Sequence, residues 1–222
     1  MAFDWASSTV DAGGTKLHVK RAGRGRPVLV LHHETGTLDD LPFYDALAAN
    51  HEVIVPHHPG YSRSERPDWM RSVRDIAVIH RGLLSELKIG KAALVGLGFG
   101  GWIAAEMATM APADLSHLVL VGAMGIKPPQ GDILDLAVTG YMDYTRAGFH
   151  DQKAFDRVYG AEPSVDQLEM WDICRDELPH RLEALHVQSD AAPSSEDRAC
   201  AGSDRLGRRR QGGAHKRGQA LS

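Results

Sequence analysis

Three glycines at alternate positions, Gly96, Gly98 and Gly100, follow an apolar run and precede an alanine-rich one. A strand that turns this tightly into a helix has the layout G-x-S-x-G, whose central residue presents a nucleophile above a parallel sheet. Here the central residue is Gly98, which has no side chain, and its neighbours Leu97 and Phe99 are chemically inert. The spacing predicts the turn and withholds the hydroxyl. Two more clusters carry reactive side chains: His32-His33-Glu34, and His57-His58. Both follow apolar runs, at the strand ends where open α/β sheets bind ligands. Glu34 is read either as a general acid or base, or as a carboxylate that faces solvent or pairs with Arg63 or another base. These groups are also metal-ligand types. Adjacent histidines in extended backbone point to opposite sides, so at most one of each pair should converge. No metal and no cofactor is assigned.

The elements that must position these residues alternate. Residues 9–10 and 16–21 flank Gly13-Gly14 and predict a hairpin. Residues 27–32 form an apolar run suited to a strand buried on both faces. Helix is expected over 41–50 and strand over 53–55, stopped by Pro56. A strongly amphipathic helix is expected over 72–87, where Val73, Ile76, Ile79, Leu83, Leu84 and Leu87 keep a period near 3.6. Strand 92–96, helix 99–111 and strand 118–122 complete the alternation, which implies a doubly wound, mostly parallel sheet with helices on both faces. Residues 132–147, 152–159 and 165–177 read as helices of an inserted helical cap. Tyr141, Tyr144, Phe149 and Trp171 are expected to line an apolar pocket or to pack between those helices, and Trp102 to be a core aromatic.

The chain divides into 1–122 (core), 123–187 (helical cap) and 188–222 (tail). The tail contains no Val, Ile, Phe, Tyr, Trp or Met and carries a net charge of +3, against −7 for the rest. So little apolar material predicts disorder, with Arg208-Arg209-Arg210 part of a solvated stretch. The overall charge of −4 gives no reason to expect nucleic-acid binding. Two cysteines make no disulfide framework. With no signal peptide and no apolar stretch near ~20 residues, the expectation is a cytoplasmic protein without a membrane span.

Three segments together make the chain resemble the α/β-hydrolase superfamily, over roughly residues 10–125. His32-His33-Glu34-Thr35-Gly36 resembles the family's H-G-x-x-G turn. The run from His57 to Ser64 resembles D-x-P-G-x-G-x-S, and Gly96-Leu97-Gly98-Phe99-Gly100 resembles the nucleophile elbow. The resemblance implies an oxyanion hole built from the backbone N–H groups of Phe99 and Glu34, with His32 ordering the turn and His33 in place of the usual glycine. It implies hydrolysis of small ester or carbon–carbon bonds, impaired here because Gly98 leaves the nucleophile position vacant. The alternative is a non-catalytic protein on the same frame that binds a small ligand or a partner.

The family's triad is completed by an acid and a histidine on later strands, and no apolar strand after Gly122 is evident to carry them. The C-terminal strands therefore read as missing, with His215 a poor substitute. Residues 204–216 admit a codon string that, read one base later, encodes Ile-Val-Trp-Gly-Ala-Asp-Asp-Lys-Val-Val-Pro-Ile, a strand and acid-bearing turn of the family type. The inference is a change of frame near Leu178, which sequencing the gene would test. Without a covering strand, residues 118–122 become an apolar sheet edge, and a marginal fold, a homodimer through that edge or an aggregation-prone chain is expected.

Overall fold

The computed structural model describes residues 3–38, 41–131, 133–134, 139–160, 164–165, 168 and 171. Its strands are β1 (Ala6–Asp11), β2 (Lys16–Ala22), β3 (Arg26–Leu31), β4 (His51–Pro56), β5 (Ala92–Leu97) and β6 (Leu115–Val121). They form one sheet in the order β1-β2-β4-β3-β5-β6. The β1–β2 and β2–β4 pairs are antiparallel, and β4–β3, β3–β5 and β5–β6 are parallel. The fold is therefore α/β with a mixed, mostly parallel sheet.

The period-two rule of a strand buried on both faces is legible in the core. On β3, Leu29 and Leu31 face one hydrophobic layer while Val28 and Val30 face the other; on β4, Ile54 joins the first layer and Val53 and Val55 the second. The first layer is closed by helices α2 (Val73–Glu86) and α3 (Phe99–Met110), through residues such as Ile76, Leu83, Ile103 and Met107. The second is closed by α1 (Pro42–Ala48), through Tyr44 and Ala48. Helix α2 starts where its residues dictate: the Ser72 hydroxyl accepts from the Asp75 N–H, and the Asp75 carboxylate accepts from the Ser72 N–H, a reciprocal cap.

After β6 come α4 (Tyr141–Ala147) and α5 (Gln152–Tyr159). The second matches the predicted span. The first is shorter than the predicted 132–147: residues 133–134 and 139–140 are not helical, and 132 and 135–138 lie outside the described residues. Most of the third predicted helix also lies outside them, as do the predicted tail, Arg208-Arg209-Arg210, His215 and the frame-shift segment. Tyr141 stacks on Trp171, with ring centroids 5.4 Å apart and planes 10° apart, and Phe149 packs against Phe155 and Tyr159. These aromatics therefore pack with one another. No helix among the described residues is long and apolar enough to cross a membrane.

Candidate functional site

Strand β5 ends at Leu97 and α3 begins at Phe99, so Gly98 alone makes the turn. Its φ of +52° and ψ of −116° belong to a region that side-chain-bearing residues rarely occupy. Hydrogen bonds hold the turn on three sides: Gly98 N–H to Val121 O, Met124 N–H to Gly98 O and Gly100 N–H to His32 O, each 3.0 Å. The backbone of the predicted elbow is thus in place, without a reactive group of its own.

Glu34 fills the space above it. The side chain is buried, 6% exposed, which excludes a solvent-facing carboxylate. Its Oε2 accepts the Phe99 N–H at 3.1 Å, and its Oε1 accepts the Tyr144 hydroxyl from α4 at 2.7 Å. A Cβ built on residue 98 would stand 2.5 Å from Glu34 Oε2 and 2.5 Å from His33 Nδ1. The carboxylate therefore overlaps the volume in which a side chain at position 98 would begin. His33 Nδ1 lies 3.9 Å from Oε2, and its half-exposed ring is held below the usual histidine range by desolvation, against an upward pull from Glu34. The Tyr159 hydroxyl on α5 is pushed up, first by burial and then by the negative charge of Glu34.

Beneath this site is a cluster of buried histidines. His32 Nδ1 donates to His33 O at 2.7 Å and its Nε2 accepts the backbone N–H of His58 at 3.0 Å, which ties the turn after β3 to the turn after β4. His58 Nε2 donates to His32 O at 3.0 Å, leaving its Nδ1 to accept from His80 Nε2 at 2.8 Å. His57 lies 5.0 Å from His18 and 6.1 Å from His32 between ring centroids. The expectation that only one of His57 and His58 would approach His32 does not hold. Strand β4 ends at Pro56, so both residues lie in a turn, where strand alternation no longer governs direction. Burial and the nearby His57 hold His32 well below the ordinary histidine pKa, outweighing the upward effect of its bond to His33 O. Among the described residues no group of three or more His, Cys, Asp and Glu has metal-ligand geometry.

The sequence brought out Gly98, Phe99, Glu34 and His32, and the structure gathers all four. It also brings in His33, read from the sequence as replacing the turn's usual glycine, and Tyr144, read as a cap aromatic, and it adds His80. The signal for His80 was its place one turn after Ile76 on the buried face of α2, where a polar ring needs a polar neighbour. Trp102 borders the core, beside Gly125.

A mostly parallel sheet sandwiched by helices, with a glycine turn from its fifth strand into a helix, is the α/β-hydrolase architecture. Residues 25–217 match the model of the alpha/beta hydrolase family, and the chain belongs to that family. It is 36% identical over 135 residues to 2-hydroxymuconate semialdehyde hydrolase from Pseudomonas sp. (strain CF600), covering 59% of this chain and 47% of that one. It is 29% identical over 206 residues to the dihydrolipoyllysine-residue acetyltransferase component of the acetoin cleaving system of Pseudomonas putida, covering 84% of this chain and 56% of the relative. The chain thus spans about half the length of these curated relatives. A crystal structure from Acinetobacter baumannii AYE, provisionally named a lipase, has a TM-score of 0.59 at 19% identity, over 79% of this chain and 62% of that one.

Proposed function

We propose that this chain keeps the hydrolase frame for small ester or carbon–carbon-bond substrates, with serine-type hydrolysis impaired. The carrying observation is the pairing of Gly98 with the Glu34 carboxylate on the Phe99 N–H. The one donor that would stabilise a substrate oxyanion from the α3 side is engaged by a protein carboxylate, and no hydroxyl stands at the turn. Helices α4 and α5 act as a cap in this reading, with Tyr144 joining cap to core, and His32 orders the turn that carries Glu34. The protein is read as cytoplasmic and as binding no nucleic acid, membrane or cofactor. The test is hydrolysis of 4-nitrophenyl acetate and of 2-hydroxymuconate semialdehyde, the compound in one relative's name, by wild type and Gly98→Ser. Neither protein should exceed buffer appreciably, because a serine here would crowd Glu34 and His33 and the sequence offers no evident triad acid or histidine to act with it. A wild-type rate far above buffer that Gly98→Ser leaves unchanged would overturn this reading.

Strand β6 favours a second proposal. Among the described residues it pairs only with β5, and Leu118, Val119, Leu120 and Val121 are each 41–49% exposed. An apolar edge of this kind seeks a partner strand, and we propose a homodimer through it. Light scattering should give twice the chain mass, with Val119→Lys shifting it toward the monomer. A wild-type monomer at assay concentration would refute the dimer.

A further inference from the structure

We propose that His80 of α2 is a positioning residue for Glu34, acting through His58 and His32 to fix the turn that carries the carboxylate. This role rests on the reading that Glu34 engages the Phe99 donor, and it names what holds the carboxylate there.

The direction of each hydrogen bond follows from the backbone groups, which can only donate or only accept. His33 O accepts, so His32 carries its proton on Nδ1, 2.7 Å away. The His58 N–H donates, so His32 Nε2, 3.0 Å away, is bare. These two requirements agree on one tautomer. His32 O accepts, so His58 carries its proton on Nε2, 3.0 Å away. Neutral His58 then presents a bare Nδ1. The ring nitrogen 2.8 Å from it, His80 Nε2, must donate. Three imidazoles are thus each held in a single tautomer, and the series begins at His80.

The series ends on the backbone just before Glu34. His32 O accepts both His58 Nε2–H and Gly100 N–H, and His33 O accepts both His32 Nδ1–H and Gly36 N–H. With the carbonyls of residues 32 and 33 pinned, the direction in which Glu34 leaves the turn is set, and Oε2 meets the Phe99 N–H at 3.1 Å. The far anchor is firm. Helix α2 is closed by its reciprocal cap, and Ile76, Ala77 and Leu83 on the same face as His80 are at most 1% exposed.

A histidine that only filled the core could give way to leucine with a change in packing alone. His80 is different, because it donates to a nitrogen of another fully buried ring. A leucine at position 80 removes that donor, and a buried acceptor deprived of its bond is costly. The His58 ring is then drawn toward another donor, such as water. A rotated ring no longer sets Nε2–H against His32 O, so the carbonyl that braces the turn loses one of its two bonds. The consequence falls on Glu34 and on the Phe99 N–H that it covers.

The experiment uses the full chain labelled with nitrogen-15, in wild-type, His80→Leu and His80→Gln forms at neutral pH. Long-range nitrogen–proton correlations of the wild-type rings should show His32 protonated on Nδ1 alone, and His58 and His80 protonated at Nε2. His58 with its proton on Nδ1 alone, or His80 bare at Nε2, overturns the proposal. Hydrogen exchange then reads the effect on the site. In His80→Leu the Phe99 amide should exchange about tenfold faster relative to the amides of β3 and β4, the loss of about one hydrogen bond's worth of protection. Taking the ratio removes any general loss of stability, which speeds all these amides together. His80→Gln, whose side-chain amide can donate where Nε2 does, should restore the wild-type ratio. An unchanged ratio in His80→Leu overturns the proposal, as does a His80→Gln ratio equal to a raised His80→Leu one. If His80→Leu does not fold, the wild-type tautomers and the His80→Gln ratio decide. The two readings fail separately: hydrolysis in the assays above overturns the impairment, and the wrong tautomers overturn the role of His80.

Discussion

Gly100→Ala should cost about 4 kcal/mol or more, placing it among the most damaging single substitutions a domain can suffer. A Cβ on residue 100 would lie 2.6 Å from His32 O and nearer still to the Leu31 carbonyl, both backbone atoms at the end of β3. Neither can swing aside as a side-chain tip can. Helix α3 cannot retreat either, because Gly100 N–H donates to His32 O, and Ile103 and Met107 further along are almost fully buried. Against a total stability of about 5–15 kcal/mol, this loss removes from about a quarter to most of the margin. Gly98→Ser provides the contrast. Its Cβ would meet only the ends of the Glu34 and His33 side chains, which can rotate away, and its sparsely populated backbone conformation costs about 1–3 kcal/mol. In urea unfolding, both variants should show a lowered midpoint, with that of Gly100→Ala falling much further than that of Gly98→Ser. A Gly100→Ala transition within a few tenths molar urea of wild type would mean that β3 and α3 are not locked at this point.

The same contrast bears on what could be read from the sequence. The glycine turn, the strands beside it and the helix following it were legible because each rests on local pattern: alternate glycines, short apolar runs, a period near 3.6 and a serine cap at residue 72. The residue types at the site were legible as well, since histidines and a glutamate directly after apolar strands have a known place in such sheets. The direction of the Glu34 side chain was not legible. It depends on Tyr144, 110 positions away, and on the missing Cβ at residue 98, 64 positions away, and no periodicity encodes such meetings. The histidines failed in a different way. Strand alternation predicts opposite faces for His57 and His58, and the chain leaves the strand at Pro56, so a rule correct for the strand was applied one residue too far.

The site also carries a matched set of substitutions that only the assembled structure explains. His33 and Glu34 stand in a turn where the family resemblance leads one to expect glycine in place of the histidine, and Gly98 stands where it leads one to expect serine. Taken alone, each change weakens the case for chemistry. Placed together, they are sterically consistent: a side chain on residue 98 would overlap His33 and Glu34, and their side chains occupy the ground that Gly98 vacates. The three positions are therefore to be read together, because the Glu34 carboxylate and the His33 ring fill the volume that a side chain on residue 98 would need.

Acid should destabilise this protein from about pH 6.5 downward, with the buried histidines as the cause. His32 Nε2 accepts the His58 N–H, so that nitrogen must be bare; a proton there would set N–H against N–H inside a fully buried cluster. Desolvation first, and the neighbouring His57 second, accordingly hold the His32 pKa well below 6.5 in the folded chain. In the unfolded chain the imidazole titrates near 6.5. Between the two values the unfolded state binds the extra proton, so stability is fully present above about pH 6.5 and falls as pH drops through that window. One such histidine loses about 1 kcal/mol between pH 6.5 and 5.5. His33, whose pKa is also lowered, adds to the loss over a narrower range because Glu34 opposes the shift. The measurement is the free energy of urea unfolding at half-unit steps from pH 7.5 to 5. His32→Gln should flatten the profile by about 1 kcal/mol over pH 6.5–5.5, whatever it does to stability at neutral pH. A wild-type profile already flat across that interval would mean that His32 takes up its proton within the folded core.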